Sequence, residues 1–195
     1  EEAGEVAVDT ETSSLDPHQA DLIGISLSSK IGKACYIPVG HKSKKNINKD
    51  QVLKKLKPLL EDPSIKKIGQ NIKFDFIVLY RHGIKITSME DTMLMSYVLD
   101  SGKNRHNMDT LSDIHLGHKP ISFKDLVGTG KKEINFSSVD IEKAKDYAAE
   151  DADVTFRLYK KFNKSLKDEK MINIYEAFEK PMIKILADME IEGIK

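Results

Sequence analysis

Val6-Ala7-Val8-Asp9-Thr10-Glu11-Thr12 is the stretch that decides the fold. Three small or β-branched apolar residues run straight into two acids, the pattern of an internal strand ending in carboxylates. Side chains two apart on a strand share a face, about 6–7 Å apart along it. Asp9 and Glu11 therefore point the same way and repel unless a cation neutralises them. Hard oxygen ligands at this spacing suit Mg²⁺ or Mn²⁺. Alone, the pair also fits a solvated edge strand; the apolar lead-in favours an internal one.

Working outward, strand signals at Val6 to Thr10, Leu22 to Ser28 and Lys33 to Val39 are separated by short turn-rich connections, which predicts an antiparallel meander. A helix is expected from Lys49 or Asp50 to Glu61, with Val52, Leu56, Leu59 and Leu60 on one stripe and Pro63 closing it. A short strand, Lys67 to Gly69, leads into a helix from Asn71 to His82 that Gly83 stops. This β-α-β portion implies a parallel element, so the sheet should be mixed and covered by helices. From Asp91 the pattern turns helical: Asp91 to Leu99, Met108 to Leu116, Phe123 to Val127 and Asp140 to Lys167. The fold class is α/β. Near the end, Glu179 to Lys195 reads as a helix stopping at Gly193.

A length of 195 residues suits one domain with an appendage. At 39% hydrophobic and 32% charged residues the chain is too apolar for disorder, and no apolar run approaches the roughly 20 residues that span a bilayer. The first residues lack a signal-peptide layout, so a cytoplasmic setting without membrane association is expected. The single Cys35, in an apolar run, reads as a small buried thiol on a strand. Formal net charge is zero, which excludes a global basic field; nucleic-acid contact has to be local.

Further acids join the pair. In Gly69-Gln70-Asn71-Ile72-Lys73-Phe74-Asp75 a strand-to-helix switch sets Asn71 and Asp75 one turn apart, on one helix face. Asn71 also fits a plain helix N-cap. In Tyr147-Ala-Ala-Glu-Asp151-Ala-Asp-Val-Thr, Tyr147 and Asp151 are likewise one turn apart, and Ala148, Ala149 and Ala152 allow a close helix approach. Glu150 reads as solvated. A phenol one turn from a carboxylate could hold a water for attack.

These three segments resemble the three exonuclease motifs of the proofreading domain of bacterial DNA polymerase I, in the same order and separation. The likeness extends to His106-Asn-Met-Asp-Thr-Leu and Phe123-Lys-Asp-Leu-Val-Gly-x-Gly-Lys between the second and third. That family belongs to the tyrosine branch of the exonuclease superfamily with four catalytic acids, on a ribonuclease-H-like fold. The resemblance implies two divalent cations, Mg²⁺ or Mn²⁺, with Asp9, Glu11 and Asp151 on the first, Asp9 bridging, and Asp75 holding the second through its waters. It implies that Tyr147 and Glu11 orient the attacking water. Leu15 would wedge against the terminal base, Phe123 would stack on it, and Gln70, Asn71 and Arg105 would hold sugar or phosphate. Without the resemblance, Leu15 and Phe123 fit ordinary packing and Arg105 a solvated loop.

The expected activity is 3′→5′ hydrolysis of single-stranded or frayed DNA to 5′-mononucleotides, in a monomer. Residues 1–175 would form the exonuclease domain, and 176–195 the start of a helical connection toward a polymerase domain. Two rivals stand beside it: a catalytically silent domain supporting a polymerase, and a ribonuclease D-like RNA 3′ exonuclease. His115 and His118 lack partners for a zinc site. Lys42 to Lys45 and Lys131-Lys132 could track a phosphate backbone, but are equally short runs of the kind loops carry in solvent, and Gly128-Thr-Gly-Lys lacks the full phosphate-loop spacing.

Overall fold

The computed structural model describes residues 4–43 and 45–193; Glu1 to Ala3, Lys44, Ile194 and Lys195, including one lysine of the 42–45 run and the end of the expected connection, lie outside the described residues. The deciding stretch occupies β1 (Glu5–Thr12), the middle strand of five. On one side lie β2 (Leu22–Lys30) and β3 (Lys33–Pro38), an antiparallel meander as expected. On the other, β4 (Lys66–Gly69) runs parallel to β1, and β5 (Met89–Asp91) parallel to β4. The order is β3-β2-β1-β4-β5, a mixed sheet with β1 at the junction of its two halves.

Alternation along β1 sorts its side chains between two layers. Val6 and Val8 enter a core with α1 (Lys49–Glu61), α2 (Ile72–Arg81) and the C-terminal α8 (Lys180–Glu192). Ala7, on the opposite face, packs with α3 (Thr92–Asp100), α4 (Met108–Leu116) and the long α6 (Ile141–Asp168). Between α4 and α6 lie α5 (Phe123–Val127) and a 3₁₀ turn, Phe136–Ser138. A single turn, α7 (Ile172–Ile174), continues through a π-helical turn, Tyr175–Glu179, into α8. There Ile183 and Ala187 are buried in the core that α2 also enters, and the buried Glu90 accepts from Lys180 Nζ at 2.7 Å and from the Tyr175 hydroxyl at 3.0 Å.

Three local readings change. β5 is an added strand, placed just before α3 where sequence periodicity gives only a helix. Cys35 is exposed, because β3 is the edge strand and the residues beside it, Lys33 and Ala34, are exposed as well. Glu150 is not solvated: it accepts from His118 Nε2 at 2.8 Å and from the Ile121 amide at 2.6 Å, pinning the segment after α4 to α6.

Candidate active site

Asp9 and Glu11 sit toward the C-terminal end of β1, on the face that α6 covers. Asp140 starts α6 by accepting the amides of Glu142 and Lys143. Ala144, Ala148 and Ala152 are fully buried, so the helix lies close to the sheet, and Asp151 emerges between the last two. One ligand oxygen from each of Asp9, Glu11 and Asp151 falls within 4.8 Å of the others. Asp153, on the next part of the turn, accepts from the Gly32 amide at 2.6 Å and serves the β2–β3 turn instead.

Asp75 arrives from the other layer. Thr10, between the two acids on β1, points toward α2 and donates both its amide, at 2.9 Å, and its hydroxyl, at 2.5 Å, to Asp75 Oδ1. The turn that delivers α2 is tight: a Cβ on Gly69 would lie 2.6 Å from the Ile72 Cβ. Asn71 takes the left-handed conformation, φ 62° and ψ 48°, which asparagine tolerates better than most residues. Its side chain does not cap α2. Asp91 does, accepting the amides of Asn71 at 3.1 Å and Ile72 at 2.9 Å while also capping α3 through Met93 at 2.9 Å. Asn71 and Asp75 thus line the same cleft, as their one-turn spacing predicts.

Charge accumulates in this cleft. Burial pushes Asp9 up to about 6. Glu11 is raised well above the usual range by burial and then by the charges of Asp9, Asp151 and Asp75. Asp75 and Asp151 are raised by burial and by Asp9, against the opposing bonds from Thr10 and Tyr147 respectively. Tyr147 is raised by burial and by the Asp151 and Glu11 charges, so its phenol stays protonated and keeps a proton to donate. Glu11 Oε1 is buried without a hydrogen-bond partner. A divalent cation fits this set: it supplies the partner that the orphan oxygen lacks and cancels the repulsion that adds to burial in raising Glu11, Asp75 and Asp151.

The cleft encloses about 850 Å³ and is lined by all four acids, Tyr147, Gln70, Asn71, Leu15 and Phe123. Leu15 is 94% exposed at its edge, too exposed for the packing role that was its alternative. Phe123 is 43% exposed and stacks on Phe136 with ring centroids 6.2 Å apart, both rings tilted against Tyr147. Gln70 has both ends engaged: Nε2 donates to the His106 carbonyl at 2.8 Å and Oε1 accepts from Thr92 at 2.5 Å. Arg105 is exposed next to His106 and does not line the cleft. Thr10, Phe136 and Asp91 were missed by sequence reading. Thr10 stood inside the quoted motif between the two acids; Phe136, in an irregular segment, carries no periodic signal.

Among curated proteins, the chain is 44% identical over 212 residues to DNA polymerase I of Rhizobium leguminosarum, covering 98% of this chain and 21% of the polymerase. It thus spans about a fifth of the length of such relatives. Among solved structures, NrnC of Brucella melitensis superposes with a TM-score of 0.76 at 25% identity, covering 97% of this chain and 86% of that one. RNase D of Escherichia coli, described as an exoribonuclease involved in structured RNA processing, superposes at 0.68 with 17% identity over 94% of this chain and 45% of its own, a likeness of fold. The fold is ribonuclease-H-like. The match to the 3′-5′ exonuclease family runs over residues 1–167, from the strand that carries Asp9 through the helix that carries Asp151, and the chain belongs to that family.

Proposed function

We propose that this chain is a metal-dependent 3′→5′ exodeoxyribonuclease that removes 5′-mononucleotides from single-stranded or frayed DNA. It would proofread for a polymerase in the same polypeptide, to which α8 begins the connection after a domain ending near residue 175. The observation that carries this reading is the meeting of Asp9, Glu11 and Asp151 within 4.8 Å around an unpartnered Glu11 oxygen.

In this reading Asp9, Glu11 and Asp151 would hold one divalent cation, and Asp75, with Asp9, would hold a second. Bound there, such cations supply activation of water and stabilisation of the leaving 3′ oxygen. Thr10 fixes one oxygen of Asp75 and leaves the other free to face the cleft. Tyr147, kept protonated, donates to the attacking water while Glu11 accepts from it, which aims a lone pair at the terminal phosphorus. Water adds to phosphorus, the bond to the 3′ oxygen breaks, and that oxygen leaves with a proton. Leu15 and Phe123 press on the terminal base by contacts that any base can make, and Asn71 and Gln70 lie where sugar and phosphate would pass.

The test is a 5′-labelled single strand incubated with Mg²⁺ or Mn²⁺. Wild type is expected to produce a ladder shortened from the 3′ end, and Asp9→Ala none. Absence of shortening by wild type at high protein concentration sinks the reading and leaves the silent-domain alternative. An RNA strand run alongside addresses the third possibility; faster shortening of RNA than of DNA would replace the substrate assigned here.

A further inference from the structure

The family match ends at residue 167, inside α6, yet the segment that follows is built into the sheet. β5 is the outer strand on its side, so the groups on its open edge need partners. The Tyr175 hydroxyl meets that need: it accepts from the Asp91 amide at 2.9 Å and donates to Glu90 Oε2 at 3.0 Å. Lys180 Nζ donates to the other oxygen of Glu90 at 2.7 Å. Tyr175 and Glu90 are both buried, and the Lys180 side chain is partly exposed. Two residues of one helical segment reach one carboxylate here because of the π turn. Tyr175 and Lys180 are five residues apart, and on an α-helix five residues turn through about 500°, which leaves the two about 140° apart. In this chain the Lys180 amide donates to the Tyr175 carbonyl, the i→i+5 bond that brings the fifth residue back over the first.

From Asp91 the connection runs inward. Its carboxylate accepts the Asn71 and Ile72 amides and so fixes the first turn of α2, from which Asn71, Phe74 and Asp75 line the cleft. A second tie reaches the same turn directly, since Lys73 pairs with Glu190 of α8. Between these two ties, Ile183 and Ala187 of α8 are buried in the core that α2 also enters. The first turn of α2 is thus gripped from the C-terminal segment through Asp91 and through Glu190.

We propose that Tyr175 is a positioning residue for Asp75: its hydroxyl, with Lys180 on the other oxygen of Glu90, fixes β5 and Asp91, and Asp91 fixes the turn that carries Asp75 into the cleft. The segment 172–192, beyond the family match, is thereby a working part of the nuclease site as well as the way out of the domain. The proposal rests on the metal-dependent reading for what Asp75 holds, so cation binding and turnover are measured separately.

Tyr175→Phe keeps the ring and removes only the hydroxyl. Mn²⁺ binding is followed by the electron paramagnetic resonance signal of the free ion, with thymidine 5′-monophosphate present, because hard cations are held by one or two carboxylates together with a phosphate. Wild type is expected to take up two ions. Tyr175→Phe should keep the tighter affinity, at Asp9, Glu11 and Asp151, within about twofold and lose about tenfold in the weaker one, the low end of what support behind a metal ligand is worth. In an Asp75→Asn background, where the weaker site is already lost, the same change should do nothing more. In strand shortening, the Mg²⁺ concentration for half-maximal rate should rise about tenfold, with kcat at saturating Mg²⁺ within about twofold. Lys180→Arg, which keeps the charge on Glu90, should stay close to wild type. Unchanged Mn²⁺ binding, an equal weakening of both affinities, a further loss on top of Asp75→Asn, or a fall in kcat with the Mg²⁺ half-point unmoved overturns the proposal. Should Tyr175→Phe not fold, Lys180→Gln loosens Glu90 from the other side and is held to the same outcomes. A wild type that shows this coupling in Mn²⁺ binding but does not shorten the strand refutes the exonuclease reading and not the role of Tyr175.

Discussion

Replacing Asp91 with alanine is expected to destabilise the protein and to disturb a site that the residue never touches. Its carboxylate accepts the amides of Asn71, Ile72, Met93 and Leu94, the last at 3.4 Å, and so starts two helices from one buried point. Loss of a helix cap costs about 1 kcal/mol and up to about 2, so two helices set a range of about 2–4 kcal/mol. An opposing effect decides where in that range the change falls. Burial raises Asp91 to about 6, against the lowering influence of those same amides, so at neutral pH the folded protein carries a charging cost that truncation relieves. The lower end, about 2 kcal/mol, is therefore expected, which for a chain of this size is a fall of about 4–8 °C in Tm. Asp91→Asn keeps an acceptor and sheds the charge, and should lose less. Because a carboxyl with a raised folded pKa favours the folded state most when protonated, wild-type stability from this group falls as pH rises from about 3.8 to about 6. The asparagine variant should gain on wild type across that window. Thermal melts of the three proteins at pH 4.5 and 7.5 read both effects. An alanine variant melting within 1 °C of wild type at pH 7.5 refutes the double-cap reasoning.

Thr10→Val removes the hydroxyl bond to Asp75 and keeps the amide bond; kcat for strand shortening should fall about tenfold, as one lost charge-assisted bond allows, with KM little changed. Adding Mg²⁺ to chelator-treated protein should raise Tm, since cations binding only the folded acids stabilise it by mass action; Glu11→Gln should blunt that rise, and an equal rise in the variant would argue against Glu11 as a ligand. Lys67, fully buried, donates to the Asp62 and Ile65 carbonyls at 2.6 Å, and burial lowers it from 10.5 to about 8. The unfolded chain therefore binds the extra proton between those values, and stability from this group should rise with pH from about 8 to about 10.5; denaturant melts of Lys67→Met should lack that component of the slope.

Much of the site was legible because its chemistry is written in local spacing. Two residues apart on a strand and four apart on a helix fix the sharing of a face before any tertiary contact is known, and Asp9 with Glu11 and Asn71 with Asp75 needed no more. What escaped depends on partners distant in sequence. β5 is three residues long and exists through its parallel pairing with β4, Gly69 opposite Asp91. Thr10 is an ordinary strand residue until Asp75, far along the chain, needs a donor. Cys35 was misread because an apolar run says that a strand forms and not which of its faces a helix will cover. Glu150 looked solvated because its rotation away from Asp151 was read correctly and the returning segment at His118 to Ile121 was not foreseen.

The cradle draws Asp9 and Glu11 from the first strand and Asp151 from the last long helix, with most of the family match between them. During synthesis a ribosome would release the first two acids long before the third, so a nascent chain has no place for a tightly held cation until α6 has emerged and docked. Under the proposed function, nuclease competence would come late in folding: a chain still lacking α6 lacks Asp151, one of the three acids of the cradle.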